Sequence, residues 1–260
     1  MIDIHCHILP GLDDGAQDWA QSLEMAQVAA MDGISGIVCT PHYSPVFPRS
    51  GRNAVMALVE QLRTKLREAE IPLALYPGCE LAIDSNIAGK IESGDLLSIN
   101  DTRKIALVEL PAEVIPPNLD RFFWMMKAKG IDTVLAHPER NRSLIQNPSL
   151  LLEWIHAGVM VQITGSSLLG HFGKEILDFS LKLLQHRMVH LVASDSHGHT
   201  MRRPMLSKAR AITEATAGLE QARRIFDEYP AQILRGEVPD VAPPIPIEKK
   251  PTLFRRIFHL

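Results

Sequence analysis

Seven strand-like apolar runs alternate with helical stretches along most of this chain, and few folds accommodate such an order. A short strand carries Ile2 and Ile4, and further runs cover Gly36 to Tyr43, Leu73 to Leu81 and Ile105 to Leu110. Three more cover Ile131 to His137, Val159 to Gly165 and Met188 to His197. Helical periodicity fills the intervals. Asp18 to Met31 places Trp19, Leu23 and Ala26 on one face, and Asn53 to Glu70 does the same with Val55, Leu58, Val59, Leu62 and Leu66. Helices are also expected over Leu119 to Lys129, Leu150 to His156, Lys174 to Arg187, Met205 to Thr216 and Leu219 to Leu234, with a loop over Ser44 to Gly51. This alternation implies parallel strands joined by helical crossovers, in a barrel or a doubly wound sheet. Polar residues with metal-binding capacity sit near the C-terminal end of six of the seven runs. A barrel brings such ends to one mouth, so a seven-stranded β/α barrel is the expected α/β fold.

The opening stretch, MIDIHCHILPGLDDG, holds the densest chemistry. Side chains two apart on a strand share a face, so His5 and His7 project together and Cys6 projects oppositely. Two adjacent imidazoles suit a divalent cation, although a strand can also carry two histidines without one. Pro10-Gly11 then turns the chain and returns Asp13 and Asp14 toward the same end. The complete strand-end set is His5, His7, Asp14, His42, Glu80, Glu109, His137, Asp195 and His197. Each has an ordinary explanation alone, as a hydrogen-bonded histidine or a capping carboxylate. Their shared placement does not. Nine ligands exceed the needs of one or two ions, so three are expected, and mixed nitrogen and oxygen ligation suits manganese, iron or zinc.

These residues lie in stretches that resemble a known family. DIHCHILPGLDDG, TPHY, GCEL, VELP, AHPERN, QITGSSL and SDSH, in that order from Met1 to about His197, look like the PHP (polymerase and histidinol phosphatase) metal-dependent phosphoesterases. Within that family the chain most resembles the bacterial tyrosine-protein phosphatases of capsule and exopolysaccharide operons. The resemblance implies a distorted seven-stranded TIM-like barrel over residues 1–236, followed by a proline-rich, basic tail over 237–260. It also implies a partition of ligands. His5, His7, Glu80 and Asp195 would hold one metal; Glu80, Glu109 and His137 a second; Asp14, His42 and His197 a third. Asp13 is the less favoured of the acidic pair, because the family motif places its ligand directly before the glycine. Glu109, where some relatives carry histidine, favours the capsular phosphatases. Arg140 matches a phosphate-binding arginine of the family; ungapped spacing picks Arg202 as a second, with Arg203 as rival or a solvated basic loop as the ordinary explanation.

The implied activity is hydrolysis of phosphotyrosine, on a membrane tyrosine autokinase, in regulation of polysaccharide synthesis or export. Three cations, most simply Mn2+, would neutralise the phosphate dianion and acidify a water, and a phenol of pKa about 10 leaves without strong acid help. A small-molecule phosphatase such as one for histidinol phosphate would keep the same centre. A metal amidohydrolase also begins with HxH, but usually adds an eighth strand and a modified lysine where this chain has Glu109. A docking subunit without activity has little need of the full ligand set. His199 is assigned no role.

The remaining features set bounds. At 260 residues and 46% apolar composition the chain can bury one large core, and its net charge of −3 does not suit nucleic acid. It contains no apolar run of bilayer length, and a strand beginning at residue 2 leaves no room for a cleavable leader. Cys6, Cys39 and Cys79 have neither metal nor disulfide spacing, and their odd number fits the cytoplasm. The positions six residues after them are Leu12, Pro45 and Ser85, so the cysteine–arginine arrangement of ordinary tyrosine phosphatases is missing. Val238 to Lys250 is expected to be extended, and Pro251 to Leu260, PTLFRRIFHL, could meet an anionic membrane, a partner or the body of the protein, or stay disordered. Assembly into a homo-oligomer is compatible with the fold.

Overall fold

The computed structural model describes residues 1–200 and 202–247. The expectation for Pro251 to Leu260 therefore lies outside the described residues. Among the described residues there are nine strand segments: β1 (Ile2–Cys6), β2 (Gly36–Cys39), β3 (His42–Tyr43), β4 (Ala74–Pro77), β5 (Glu80–Ala82), β6 (Ile105–Glu109), β7 (Asp132–Ala136), β8 (Met160–Thr164) and β9 (Leu191–Ala193). They form two parallel sheets, ordered β1-β2-β4 and β3-β5-β6-β7-β8-β9. Two of the seven expected runs are thus broken. Pro41 interrupts Gly36 to Tyr43, because it has no N–H for the ladder. Leu73 to Leu81 breaks at Gly78, where a Cβ would lie 2.8 Å from Val38 Cγ1.

The segment that follows β9 also reaches the first strand. His7 N–H donates to the Ser196 carbonyl and Asp195 N–H to the His5 carbonyl, each at 2.9 Å, and Cys6 bridges Ser196 in parallel. The expected seventh strand over Met188 to His197 is shorter than anticipated. Its ladder ends at Ala193, and Asp195 then adopts a left-handed backbone with φ of 49°. Within β1 the register shifts between Asp3 and Cys6, a bulge that passes through His5. Bulges of this kind re-aim side chains beside functional sites.

Both faces of the strands are buried, as parallel strands covered by helices require. Ile4, Val38, Leu107, Val134 and Leu191 pack together with Tyr229 and Ile233 of the last helix. Ile37, Leu81, Val108, Leu135, Val161 and Val192 face the outer helices instead. Helices occupy the anticipated intervals: Trp19–Met31, capped by Asp18, then Arg52–Glu68, Leu119–Ala128, Pro148–His156, Lys174–Gln185 and Ser207–Ala217. The final stretch, Leu219 to Leu234, winds through a wider π turn at Arg224–Glu228. Ile87–Ser93 and Gly165–Leu168 are further short helices that periodicity did not suggest. Over residues 235–247 the chain is irregular but anchored: Ile245 N–H donates to the His186 carbonyl at 2.7 Å, and Val241 and Ile247 pack against the core. None of the described helices is long and apolar enough to cross a membrane.

Candidate metal centre

All nine residues expected as ligands converge at the C-terminal ends of the strands. His5 and His7 are fully buried, with their Nε2 atoms 3.1 Å apart. The other nitrogen of each ring is already engaged. His5 Nδ1 lies 2.8 Å from Gln162 Oε1, and His7 Nδ1 lies 2.7 Å from Asp13 Oδ2. Amide and carboxylate oxygens only accept, so each Nδ1 carries a proton and Nε2 is the atom each ring has left for a cation. His197 repeats the pattern, with Nδ1 3.1 Å from the Asp195 carbonyl and Nε2 3.3 Å from Asp14 Oδ1.

Glu80 stands in the middle. Its Oε2 lies 2.9 Å from His42 Nδ1, 3.1 Å from His5 Nε2 and 3.3 Å from His7 Nε2, yet this buried atom has no aligned hydrogen-bond donor among the described residues. Its Oε1 faces His137 Nε2 at 2.8 Å. An orphaned buried carboxylate oxygen ringed by imidazole nitrogens costs energy unless protons or a cation lie among them. The donor set of imidazole and carboxylate, without thiolate, fits divalent transition ions.

Three sets of ligand atoms each lie within 4.8 Å of one another: His7, Asp14, His42 and His197; His5, His7 and Glu80; and His42, Glu80 and Glu109. These overlap the expected partition without reproducing it. His7 joins the group anticipated for the third ion, its ring centroid 3.8 Å from that of His197. Asp195 Oδ1 stands 3.5 Å and 3.6 Å from the Nε2 atoms of His5 and His7. His137 Nε2 lies 3.6 Å from Glu109 Oε1.

The electrostatics follow from burial working against close opposite charges. Burial would raise the Glu80 carboxyl, but His5, His137 and His42 hold it well below its ordinary value. Asp195 is likewise kept low against burial by His5, His7 and Arg140. At Glu109 the compensation is outweighed: burial, and then Glu80 as a like charge, push it up to about 7 against His42, His5 and Arg140. Burial, aided by Arg140, takes His137 down to about 4. Asp14 falls to about 2, chiefly through the adjacent His197.

Local backbone geometry aims several of these groups. His137 and Asp195 both follow strands in the left-handed region, with φ of 34° and 49°. Non-glycine residues pay for that conformation, and it turns each side chain off its strand toward the others. In the DDG stretch each residue has a separate task. Asp13 accepts from Gly15 N–H at 2.9 Å and His42 N–H at 2.8 Å while holding His7. Asp14 reaches His42 and His197. Gly15 passes so close that a Cβ would lie 2.2 Å from the His7 carbonyl oxygen.

Two arginines share one anchor. Arg140 Nη2 lies 2.8 Å and Arg202 Nη2 2.6 Å from Asp195 Oδ2. Arg203 instead donates its Nε to the His199 carbonyl at 2.8 Å. Arg202, unlike Arg203, thus turns toward the strand-end cluster. His199 pairs with Glu24 at 3.1 Å. Three contributors were not anticipated from sequence: Asp13 and Gln162 as orienting groups, and Phe172, whose ring lies 5.3 Å from Arg140 Cζ. Gln162 sat within a recognised motif, but nothing in its spacing marked its partner. All three cysteines are buried, and burial pushes the Cys39 and Cys79 thiols up to about 12 and Cys6 well above its ordinary value, which makes them inert packing groups.

Residues 1–235 match the family model for capsular polysaccharide synthesis, CpsB/CapC. The chain belongs to this family. Tyrosine-protein phosphatase YwqE of Bacillus subtilis is 39% identical to it over 96% of this chain and 98% of its own length. The protein CapC of Staphylococcus aureus, named a putative tyrosine-protein phosphatase, is 35% identical over 80% of this chain and 81% of its own. A chain from the crystal structures of YwqE and of CpsB from Streptococcus pneumoniae, described as unique metal-dependent tyrosine phosphatases, superposes with a TM-score of 0.92. That match covers 96% of this chain and 100% of the other at 39% identity. A dihydropyrimidinase from Brevibacillus agri is 14% identical with a TM-score of 0.56, over 90% of this chain and 70% of its own, and shares the fold alone.

Proposed function

We propose that this CpsB/CapC member is a metal-dependent protein-tyrosine phosphatase of capsule or exopolysaccharide synthesis, acting in the cytoplasm on a membrane tyrosine autokinase. The observation that carries the chemistry is Glu80 Oε2, buried and orphaned among three imidazole nitrogens. Family membership and the likeness to YwqE support the substrate class. The seven runs form a distorted barrel in this proposal, supported by the hydrogen bonds between β1 and the segment after β9. Residues 1–236 are its domain and the remainder its tail.

His5, His7, Glu80 and Asp195 would hold one ion, Glu80, Glu109 and His137 a second, and Asp14, His42 and His197 a third, with Mn2+ the favoured metal. Bound divalent ions would supply charge neutralisation for the phosphate and a water of lowered pKa. The chain's own residues do the rest. Gln162 and Asp13 hold the protons of His5 and His7 on Nδ1, keeping Nε2 open. Asp195 keeps Arg140 and Arg202 side by side, where two planar guanidiniums can bind non-bridging phosphate oxygens. Phe172 supports Arg140 from behind its plane. A phenolate leaving group of pKa about 10 does not demand a general acid from the protein.

The test is phosphate release from a phosphotyrosine peptide and from histidinol phosphate, side by side, with Mn2+ and with chelator. Chelator-sensitive release favouring the peptide is expected. Preference for histidinol phosphate would move the protein to small-molecule metabolism.

A further inference from the structure

Beside the candidate centre, the loops that follow β5 and β6 leave a groove that the chemistry above does not use. Its volume is about 530 Å³, against about 210 Å³ for the cavity that contains Glu109, His137 and Arg140. Ile83, Pro111, Pro117, Phe122 and Met125 give it an apolar floor, and Arg121 stands exposed at its edge. Two acids beside it are already engaged: Asp84 pairs with Lys90 at 3.2 Å, and Asp120 accepts from Trp154 Nε1 at 2.8 Å. Arg121 has no ion-pair partner among the described residues, so the groove offers an apolar surface with one uncommitted positive charge.

The groove adjoins the reaction site. Pro111 lines it, while the flanking Leu110 and Ala112 line the cavity that holds Arg140. Pro111 is exposed, so the crest between the two is open to solvent. It follows Glu109 by two residues, a span of at most about 7 Å. An extended polypeptide advances about 3.3 Å per residue. With a phosphate at Arg140, side chains a few positions along the same substrate chain reach the groove, whereas a small phosphate ester cannot occupy both.

We infer that this groove receives the stretch of substrate polypeptide beside the phosphotyrosine, taking an apolar side chain among Ile83, Phe122 and Met125 and a carboxylate at Arg121. Apolar pockets supply affinity in such peptide recognition, and the charge supplies selection. The inference rests on the phosphotyrosine reading above and adds to it the chemistry of the flanking residues.

The experiment compares kcat/KM for three substrates: p-nitrophenyl phosphate, a phosphotyrosine peptide with Leu and Glu on its flanks, and one with Gly and Ser there. Each is measured on the wild-type protein, Arg121→Glu and Met125→Gln. The wild-type protein is expected to prefer the Leu/Glu peptide about tenfold over the Gly/Ser peptide. Both variants are expected to lose that preference while handling p-nitrophenyl phosphate as before, and Arg121→Glu is expected to gain on a peptide carrying Lys in place of Glu. Equal wild-type rates on the two peptides would overturn the groove and leave the phosphatase intact. A parallel loss on p-nitrophenyl phosphate in both variants would overturn it too, as a structural role. A change of sedimentation in either variant would assign the surface to a second copy of the chain instead. No release from any phosphotyrosine substrate, with p-nitrophenyl phosphate still cleaved, would remove the phosphotyrosine reading itself.

Discussion

Gln162 Oε1 lies 2.8 Å from His5 Nδ1, and this one contact decides which nitrogen of His5 faces the candidate centre. An amide oxygen can only accept, so the ring proton stays on Nδ1 and Nε2 points at His7 and Glu80. Loss of such an orienting partner commonly costs about 10- to 100-fold in metal affinity. Gln162→Leu is therefore expected to weaken Mn2+ binding by about that factor, measured by titration of the metal-free protein, and Gln162→Glu to restore much of it. Unchanged affinity in Gln162→Leu would show that the contact only fills space.

His42 and His197 meet Asp14 at 3.6 Å and 3.3 Å, at the more open side of the cluster. Replacing either by Ala is expected to lower bound metal, read by elemental analysis, and to collapse turnover. Full activity in either variant would break the assignment of a third ion to these residues.

Arg140 and Arg202 converge on Asp195 Oδ2, but neither side chain belongs to the ligand set. Arg140→Ala is expected to lower kcat/KM by about 100- to 1000-fold, the usual scale for a group that stabilises transition-state charge. Metal content should stay at the wild-type level. Metal loss would make Arg140 a structural support of Asp195.

Gly15 lies against the backbone of His7, and an added Cβ would come within 2.2 Å of its carbonyl oxygen and 2.5 Å of its Cβ. Gly15→Ala must displace one of the two strands of contact around His7. A destabilisation of about 3 kcal/mol is expected from urea unfolding, at the upper end for overpacking, together with weaker metal binding. Wild-type stability would mean that the turn relaxes without moving His7.

His190 is buried away from the candidate centre, and burial takes its pKa down to about 4. Its Nδ1 accepts Val161 N–H at 2.9 Å, which also requires the neutral ring. Above pH about 6.5 the ring is neutral in folded and unfolded chains alike and has no effect on their balance. As pH falls from there toward the folded pKa, only the unfolded chain takes up the proton, so stability drops by about 3 kcal/mol by pH about 4. Urea unfolding of the chelated protein at pH 7.5, 6 and 5 should show a smaller acid loss in His190→Gln than in the wild type. Parallel losses would place the acid sensitivity elsewhere.

Much of the centre could be read from the chain because strand-end positions are set by local rules. Side-chain alternation puts His5 and His7 together, and the apolar runs stop at His42, Glu80, Glu109 and His137. The helices were equally legible, since amphipathic periodicity is written residue by residue. Breaks within runs were harder to see. Pro41 and Gly78 split two runs into β2 and β3, and β4 and β5, through a missing donor and a close approach to Val38.

What only the tertiary structure decided involves residues far apart in sequence. Spacing could not tell that Arg202 turns to Asp195 while Arg203 turns back to the His199 carbonyl. It could not assign Asp13 to His7, Gln162 to His5 or Phe172 to Arg140, since no periodic pattern records a partner across the fold. The sequence by itself determined which chemical groups are available and which ends of the strands carry them. The tertiary structure determined which nitrogen, oxygen or guanidinium each presents, because hydrogen bonds at 2.7–2.8 Å select a tautomer or a rotamer only after distant elements have packed.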